Sequence, residues 1–246
     1  MRSRTVLIGA VVVLVVLGAG VFWFLGRESP DAVDIDRAVD DLAQSGRAAE
    51  EDASAEDELE DAVLDPTGTW IVDPDVVPFD RETGTGSWVG YRIDEELSGI
   101  GAVIAVGRSP RVEGEIVIDG SRVTAADVRA DLVGLVSEYP NRDARVAPLF
   151  RDRPVTFSLT EPFDFGTVPE DEDVVAVSTR GVLRIGEIEQ ELAFELSGAV
   201  VGQRIVVTGS TIVTLADFDV RVPSANIVLS VSDEATIEFQ LNLSRG

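Results

Sequence analysis

Residues 155–160, with the sequence Val-Thr-Phe-Ser-Leu-Thr, decide the fold class, because apolar and hydroxyl side chains alternate at every position. Successive side chains of an extended strand point to opposite faces, so this alternation predicts a strand with one buried and one solvated face. The same period of two recurs at 112–118, 191–196 and 236–243. Half-buried strands of this kind are typical of antiparallel sheets.

Further alternating runs are separated by turn-forming pairs such as Asp119-Gly120 and Gly186-Glu187. These runs lie at 88–93, 102–106, 122–135, 174–185, 203–212 and 225–231. Residues 139–150 have a helical pattern, which predicts one short helix beginning near Asn141. We therefore expect an all-β, antiparallel domain of about eight strands, built as a sandwich or as a barrel. The barrel is favoured because no run is visibly short, bulged or charged like an exposed edge strand.

Residues 6–25 are an apolar run without a charged side chain, and they are long enough to cross a bilayer as one helix. Arg2 and Arg4 precede the run and acidic residues follow it, so the positive-inside rule predicts a cytoplasmic N-terminus at residues 1–5. A cleaved signal peptide ending near residues 18–20 is the alternative, but the apolar run continues beyond that point. We expect a single-pass cell-membrane protein with an extracytoplasmic C-terminal domain.

Residues 26–67 are strongly acidic and differ in composition from the rest of the chain. They contain few basic residues and no aromatic ones, so we expect a disordered tether between the transmembrane helix and a domain at 68–246. One alternative is open, because some apolar residues have the spacing of an amphipathic helix that docks on a partner or on the domain. These residues are Ala32, Ile35, Val39 and Leu42.

The composition excludes several classes of function. The formal net charge is -25, and a surface this acidic repels phosphate backbones, so no nucleic acid is expected as a partner. The chain has neither Cys nor His, which excludes thiol nucleophiles, zinc fingers and a Ser-His-Asp triad. We expect no cofactor and no metal. An enzyme would need paired carboxylates, and candidates such as Glu113 and Glu115 fall on the predicted solvent face.

An ordered series of short motifs covers residues 68–245. They are Gly-Thr-Trp-Ile-Val at 68–72, Val-Gly-Tyr-Arg-Ile at 89–93, Glu-Leu at 96–97, Ala-Val-Gly-Arg at 105–108, Val-Glu-Gly-Glu-Ile at 112–116, Val-Arg-Ala-Asp-Leu at 128–132, Arg-Asp at 142–143, Arg-Pro-Val-Thr-Phe at 153–157, Gly-Val-Leu-Arg-Ile-Gly at 181–186, Thr-Gly-Ser at 208–210 and Asp-Phe at 217–218. In this order and spacing the domain resembles the YceI-like family, the lipid-binding, lipocalin-like proteins of the bacterial envelope.

The resemblance implies an extended antiparallel barrel with a long apolar cavity. In that family the cavity is associated with a polyisoprenoid or a similar long-chain amphiphile, so such a lipid is the expected ligand. A homodimer is a further expectation from the resemblance. The predicted membrane helix departs from many relatives, which are soluble exported proteins, and it argues against a freely diffusing shuttle.

The inward faces predicted from the alternation supply the candidate cavity lining. Its members are Val89, Tyr91, Ile93, Val112, Ile116, Val155, Phe157, Leu159, Leu192, Phe194, Leu196, Phe218, Ile237 and Phe239. Tyr91 is the candidate polar group within an apolar wall, because a buried hydroxyl needs a partner. Arg142 and Asp143 are placed at the rim, either as a gate and headgroup contact or as a local ion pair. The alternative function is an envelope scaffold whose barrel core is filled by its own side chains.

Overall fold

The alternating segments form one antiparallel sheet in the computed structural model, which describes residues 29–52, 65–223 and 225–246. The described helices and strands are α1 (Ile35–Asp52), β1 (Gly68–Val72), β2 (Trp88–Leu97), β3 (Gly101–Ser109), β4 (Val112–Asp119), β5 (Arg122–Ala130), β6 (Val136–Ser137), α2 (Pro140–Val146), β7 (Val155–Leu159), β8 (Phe163–Asp164), β9 (Val174–Ile185), β10 (Ile188–Val201), β11 (Arg204–Thr214), β12 (Val228–Val231) and β13 (Glu234–Arg245). Short 3₁₀ helices lie at Leu132–Gly134, Ala147–Phe150 and Leu215–Phe218.

The sheet closes into a barrel in the order β1-β4-β5-β7-β9-β10-β11-β13, and β13 pairs again with β1. Trp70 of β1 is opposite Ile116 of β4 on one side and opposite Arg245 of β13 on the other. The prediction of an all-β antiparallel barrel of about eight strands is therefore confirmed.

The first half of β13 pairs with β2 instead of β1, with Thr236 opposite Arg92 and Gln240 opposite Trp88. Strands β3 and β6 continue from β2, and β12 pairs with the far end of β2. The β2–β3 hairpin therefore extends the barrel wall at one end. Its turn follows Leu97, which pairs with Gly101.

Helix α1 is a correction to the sequence analysis, because Ile35–Asp52 is helical rather than disordered. Asp34 caps it, since its Oδ1 accepts a hydrogen bond from the Arg37 backbone N–H at 2.9 Å. The helix packs on the outside of β10 and β11 through a small apolar cluster. The cluster comprises Ala38, Val39, Leu42, Ala43, Val77, Ala199, Val201 and Val206.

The prediction of a disordered tether is wrong for α1, because the apolar side chains of this helix are buried against the barrel. Ile35, Val39 and Leu42 do lie on the packed face, as the alternative of a docking helix predicted, whereas Ala32 is exposed and precedes the helix. The rest of the predicted tether at 26–28 and 53–64 lies outside the described residues, as do the predicted cytoplasmic N-terminus at 1–5 and the predicted membrane span at 6–25. Within the described part of the chain, no helix is long and apolar enough to cross a bilayer.

Helix α2 is the short helix predicted within 139–150. Its N-cap is Tyr139 and its first residue is Pro140, so Asn141 is inside the helix and not at the cap as predicted. Proline is well suited to the first helical position because its missing N–H has no partner there in any case.

The docking of α1 predicts the effect of Leu42→Ala, because Leu42 is fully buried. Removing its side chain leaves a cavity between helix and barrel, and we expect a loss of about 2–5 kcal/mol in the free energy of unfolding. Urea denaturation followed by tryptophan fluorescence measures it. The matched control is Gln44→Ala on the exposed face of the same helix, which should change stability by less than about 0.5 kcal/mol. Equal effects of the two variants would contradict the docked helix.

Candidate lipid-binding cavity

Two apolar chambers lie inside the barrel, with volumes of about 170 Å³ and about 290 Å³. They share four lining residues, which form the waist between them: Val89, Val155, Leu183 and Ile237. The alternative of a barrel filled by its own side chains therefore does not describe this interior.

The first chamber is walled by inward faces of the closed barrel. Phe157 and Phe194 meet there edge to face, with ring centroids 4.8 Å apart and planes at 71°. Ser197 is the one polar side chain among its described lining residues. A wall of this composition offers hydrocarbon an environment free of unpaired polar groups.

The structure places all the predicted lining residues except Val112 and Leu192 on the two chambers. Tyr91, Ile93 and Phe218 line the second chamber. Residues lining the first are Ile116, Phe157, Leu159, Phe194, Leu196 and Phe239, and the shared Val89, Val155 and Ile237 are part of the waist. Val112 is buried in the core without lining a chamber, and Leu192 packs against the core. The role of these residues in binding a ligand stays a prediction.

Glycines in the wall keep the chambers open by receiving aromatic rings. A Cβ at Gly181 would lie 2.1 Å from Phe157 Cε2, and one at Gly209 would lie 2.5 Å from Phe239 Cζ. The rings therefore occupy the space of missing side chains and lie along the wall instead of reaching the barrel axis. A Cβ at Gly107 would likewise lie 2.6 Å from Tyr91 Cε1, so the ring of Tyr91 also lies over a glycine.

The second chamber has a polar end, of which Tyr91 and Arg142 were predicted from the sequence and Glu95 was not. Arg142 Nη2 donates to Glu95 Oε2 at 2.9 Å, and both side chains are largely buried. Arg142 also lies over the Tyr139 ring, with Cζ 5.1 Å from the ring centroid. Its Nη1 is buried and has no hydrogen-bond partner among the described residues. A buried donor of this kind favours a polar or anionic ligand group beside it.

Asp143 has a different role from Arg142, although the two are adjacent. Its Oδ1 accepts hydrogen bonds from the Ser137 backbone N–H at 3.0 Å and from Ser137 Oγ at 2.6 Å. Asp143 therefore fixes the connection between β6 and α2 through hydrogen bonds to Ser137, and not through an ion pair with Arg142. Arg142 faces the chamber, where its partner is Glu95.

The mouth of the second chamber is formed by the segment that leads into β12. Val222 and Ile227 line the chamber and are also exposed, Ile227 by 53%. The Ser98 backbone N–H, in the turn of the β2–β3 hairpin, donates to the Ile227 carbonyl at 2.7 Å. The hairpin turn and the chamber mouth are thus at the same end of the barrel.

Sequence reasoning missed Glu95, Tyr139 and Arg145 as residues of the second chamber. Glu95 shares the inward period of Tyr91 and Ile93, which was the available signal. Its charge suggested the solvent face, but only the tertiary structure reveals Arg142 as its partner. Tyr139 is the N-cap of α2 and Arg145 lies in its last turn, and the sequence does not specify the orientation of this helix.

The buried phenol of Tyr91 predicts an unusual titration. Burial raises the pKa of Tyr91 to about 12, with nearby Arg142 opposing the shift and Glu95 and Asp143 adding to it. The neutral phenol is favoured in the folded state, so its contribution to stability is complete below about pH 10, the pKa of an unperturbed tyrosine. That contribution is lost as pH rises toward about 12.

Absorbance titration of the folded chain tests this, because the chain has 2 tyrosines. We expect a phenol transition near pH 12 that is absent from Tyr91→Phe. In denaturant the transition should move to about pH 10. A folded wild type with all its tyrosine absorbance change complete near pH 10 would contradict the buried phenol.

Neither family models nor curated protein sequences match this chain. Solved structures do. A polyisoprenoid-binding domain from Saccharophagus degradans, implicated in plant cell wall breakdown, superimposes with a TM-score of 0.51 at 14% identity, covering 72% of this chain and 98% of that one. BcnA of Burkholderia cenocepacia has a TM-score of 0.49 at 16% identity, covering 63% and 95%. The Campylobacter jejuni YceI protein has a TM-score of 0.43 at 14% identity, covering 55% and 82%.

The alignment with the Saccharophagus degradans domain covers almost all of that domain and about three quarters of this chain. At 14% sequence identity, this structural similarity establishes the fold of the chain alone. The chain therefore has the fold of a polyisoprenoid-binding domain, which is the fold that its resemblance to the YceI-like family predicted.

Proposed function

We propose that this chain is a membrane-anchored, extracytoplasmic YceI-like protein that binds a polyisoprenoid or a similar long-chain amphiphile inside its barrel. The observation that carries the proposal is the pair of neighbouring apolar chambers that share Val89, Val155, Leu183 and Ile237 in their walls. An elongated space with apolar walls suits a hydrocarbon chain, and the similar Saccharophagus degradans domain is described as polyisoprenoid-binding.

The physical basis of binding is the removal of hydrocarbon from water. Each Å² of buried apolar surface contributes about 25 cal/mol, so a chain that buries a few hundred Å² offsets the cost of association. The second chamber alone, at about 290 Å³, is close to the lower limit of ligand pockets, which is about 300 Å³. A ligand that passes the waist would fill both chambers.

The polar end of the second chamber supports an amphiphile rather than a plain hydrocarbon. Tyr91, Glu95 and Arg142 are grouped there, while the first chamber is almost wholly apolar. The headgroup would therefore lie beside Arg142, and the chain would extend through the waist to Phe157.

The sequence at residues 6–25 supports the membrane anchor, and the charge pattern around it supports an extracytoplasmic barrel. The proposed role is non-catalytic, since the chambers present mainly apolar side chains and the charged pair of Glu95 and Arg142 is mutually neutralised. Homodimer formation stays a prediction from the family resemblance.

Blocking the first chamber tests the proposed ligand. Ala126 lines that chamber, so Ala126→Phe fills it. The control, Thr124→Phe, adds the same group to an exposed position of the same strand. We expect full-length chain purified in mild detergent to yield a polyprenyl-type lipid on organic extraction and mass spectrometry. The lipid should be retained in Thr124→Phe and reduced at least about tenfold in Ala126→Phe, a difference of about 1.4 kcal/mol.

Equal amounts of lipid in the two phenylalanine variants would show that the lipid is bound outside the barrel. Absence of any polyprenyl-type lipid from wild type, with no uptake of added polyprenol, would reject the proposed function.

The polar end is tested by Arg142→Met. This variant removes the buried guanidinium, so it should weaken binding of a polyprenyl phosphate about tenfold, within the range of one charge-assisted hydrogen bond. Binding of the uncharged polyprenol should change much less. The control is Arg151→Met, which removes the same charge from an exposed position that lines neither chamber. A similar loss for both lipids in Arg142→Met would mean that Arg142 does not contact the headgroup.

A further inference from the structure

The segment before α1, residues 29–34, is held against the outer face of the barrel, and we refer to it as the strap. Ser29 Oγ donates to the Ile104 carbonyl, and Arg92 Nη1 donates to the Pro30 carbonyl at 2.6 Å. Arg108 Nη2 donates to the Asp31 carbonyl at 2.6 Å. These partners belong to β2 and β3, so the strap follows the β2–β3 hairpin.

Buried charges beneath the strap explain why it docks. Arg92 Nη1 lies 3.6 Å from Oε1 of Glu238, and the positive charge of Arg108 also acts on this carboxylate, which lies on the outer face of β13 and is 2% exposed. Glu238 Oε2 also accepts the Val33 backbone N–H at 2.8 Å. Arg108 stacks on Trp88, with Cζ 4.3 Å from the ring centroid. Backbone carbonyls of the strap supply the acceptors that one carboxylate cannot provide for two guanidinium groups.

Trp88 belongs to this outer cluster. Its neighbour Val89 lines the chambers, whereas Trp88 faces outward and its Nε1 donates to the Gly84 carbonyl at 2.8 Å. Burial lowers the pKa of Arg108 and raises that of Glu238. Arg108 and Glu238 are 1% and 2% exposed, so the cluster is covered and the strap is part of the folded domain.

The strand register gives the direction of the strap along the barrel. The β2–β3 ladder starts at its turn with Leu97 opposite Gly101, continues through Asp94 opposite Ile104, and reaches Gly90 opposite Arg108. Ser29 contacts the ladder at Ile104, and Asp31 contacts it at Arg108, further from the turn. The N-terminal end of the strap therefore points to the hairpin turn, which is also the end with the chamber mouth.

The chain leaves very little distance between the strap and the apolar run. The residues between Leu25 and Ser29 are Gly26, Arg27 and Glu28. Fully extended, the chain from Leu25 to Ser29 spans at most about 14 Å. The headgroup layer on each side of a bilayer is roughly 5–8 Å thick. If residues 6–25 cross the membrane, Ser29 must lie at or close to the headgroup surface.

The surface near Ser29 has the composition of a headgroup contact. Ile104 and Leu229 are exposed there, Leu229 by 63%, and Ile227 is exposed at the mouth. Asp94 and Glu96 are exposed on β2 between them. Apolar side chains interspersed with carboxylates favour contact at the level of the headgroups, because the carboxylates resist transfer into hydrocarbon.

We propose that the barrel contacts the outer surface of the membrane through the turn of the β2–β3 hairpin and residues 225–229, with the mouth of the second chamber facing the bilayer. The strap sets this orientation, because it is docked on the barrel and directly follows the apolar run. An amphiphile then passes between bilayer and chamber without crossing bulk water. The inference rests on the membrane anchor in the proposed function, and it adds which end of the barrel faces the lipid.

The absence of Cys from the chain gives a clean test, since each introduced thiol is unique. Leu229→Cys places a label beside the mouth, and Val168→Cys places one at the opposite end, next to Pro169 of the first chamber. Each full-length variant is labelled with a fluorophore and reconstituted into phosphatidylcholine vesicles that contain a headgroup nitroxide quencher. We expect the label at 229 to lose most of its fluorescence and the label at 168 to keep nearly all of it.

A variant with a longer linker tests whether the short connection to the strap orients the barrel, or whether the apolar run only attaches the barrel to the membrane. Insertion of 20 Gly and Ser residues between Glu28 and Ser29 leaves the strap docked but adds a flexible reach of about 25 Å. Quenching at 229 should then fall toward the level at 168. Equal quenching at both positions without the insertion, or unchanged quenching at 229 with it, would overturn the proposed orientation.

Two further outcomes distinguish this inference from the proposed function. Failure of the chain to co-float with the vesicles would overturn the anchor and the orientation together. Selective quenching at 229, together with equal lipid content in the Ala126→Phe and Thr124→Phe variants, would support the orientation and reject the barrel as the lipid site.

Discussion

The rest of the structure depends on β13 being paired along both of its edges. One edge is bound to β11 from Thr214 to Ile205, and the other edge is shared between β2 and β1. The pairing with β1 closes the barrel, so no edge of the closed ring exposes its backbone donors. The pairing with β2 carries the hairpin that extends the wall over the second chamber. Closure and extension therefore come from one strand.

The two faces of β13 have separate tasks because side chains alternate along a strand. Ile237, Phe239 and Leu241 line the chambers. On the outer face, Glu238 holds the strap and Gln240 Nε2 donates to the Gly86 carbonyl at 3.0 Å. The polar residues that periodicity assigned to solvent are thus covered by chain segments, and the covering segments supply hydrogen bonds that water would otherwise make.

The chambers remain open for a reason that concerns shape rather than hydrophobicity. A barrel of about eight strands is narrow enough for its own side chains to fill. Here the rings of Phe157 and Phe239 lie over the inward positions of Gly181 and Gly209, where any Cβ would collide with them. The aromatic groups stay at the wall, and the axis is left to a ligand. The charged pair of Glu95 and Arg142 then gives this apolar interior a direction, with a polar end beside the mouth.

Local periodicity in the sequence determined the strands, their inward faces and hence most of the chamber lining, because a period of two assigns each side chain to a face without knowledge of its neighbours. It also marked Ile35, Val39 and Leu42 as one face of a helix. The tertiary structure alone decided that this helix is docked, since its binding surface on β10 and β11 is remote in sequence. The same holds for the pairs of Glu95 with Arg142 and of Glu238 with Arg92, in which the partners come from different elements. A charged residue in a sequence indicates exposure, and only the three-dimensional arrangement can supply the opposite charge that makes its burial favourable.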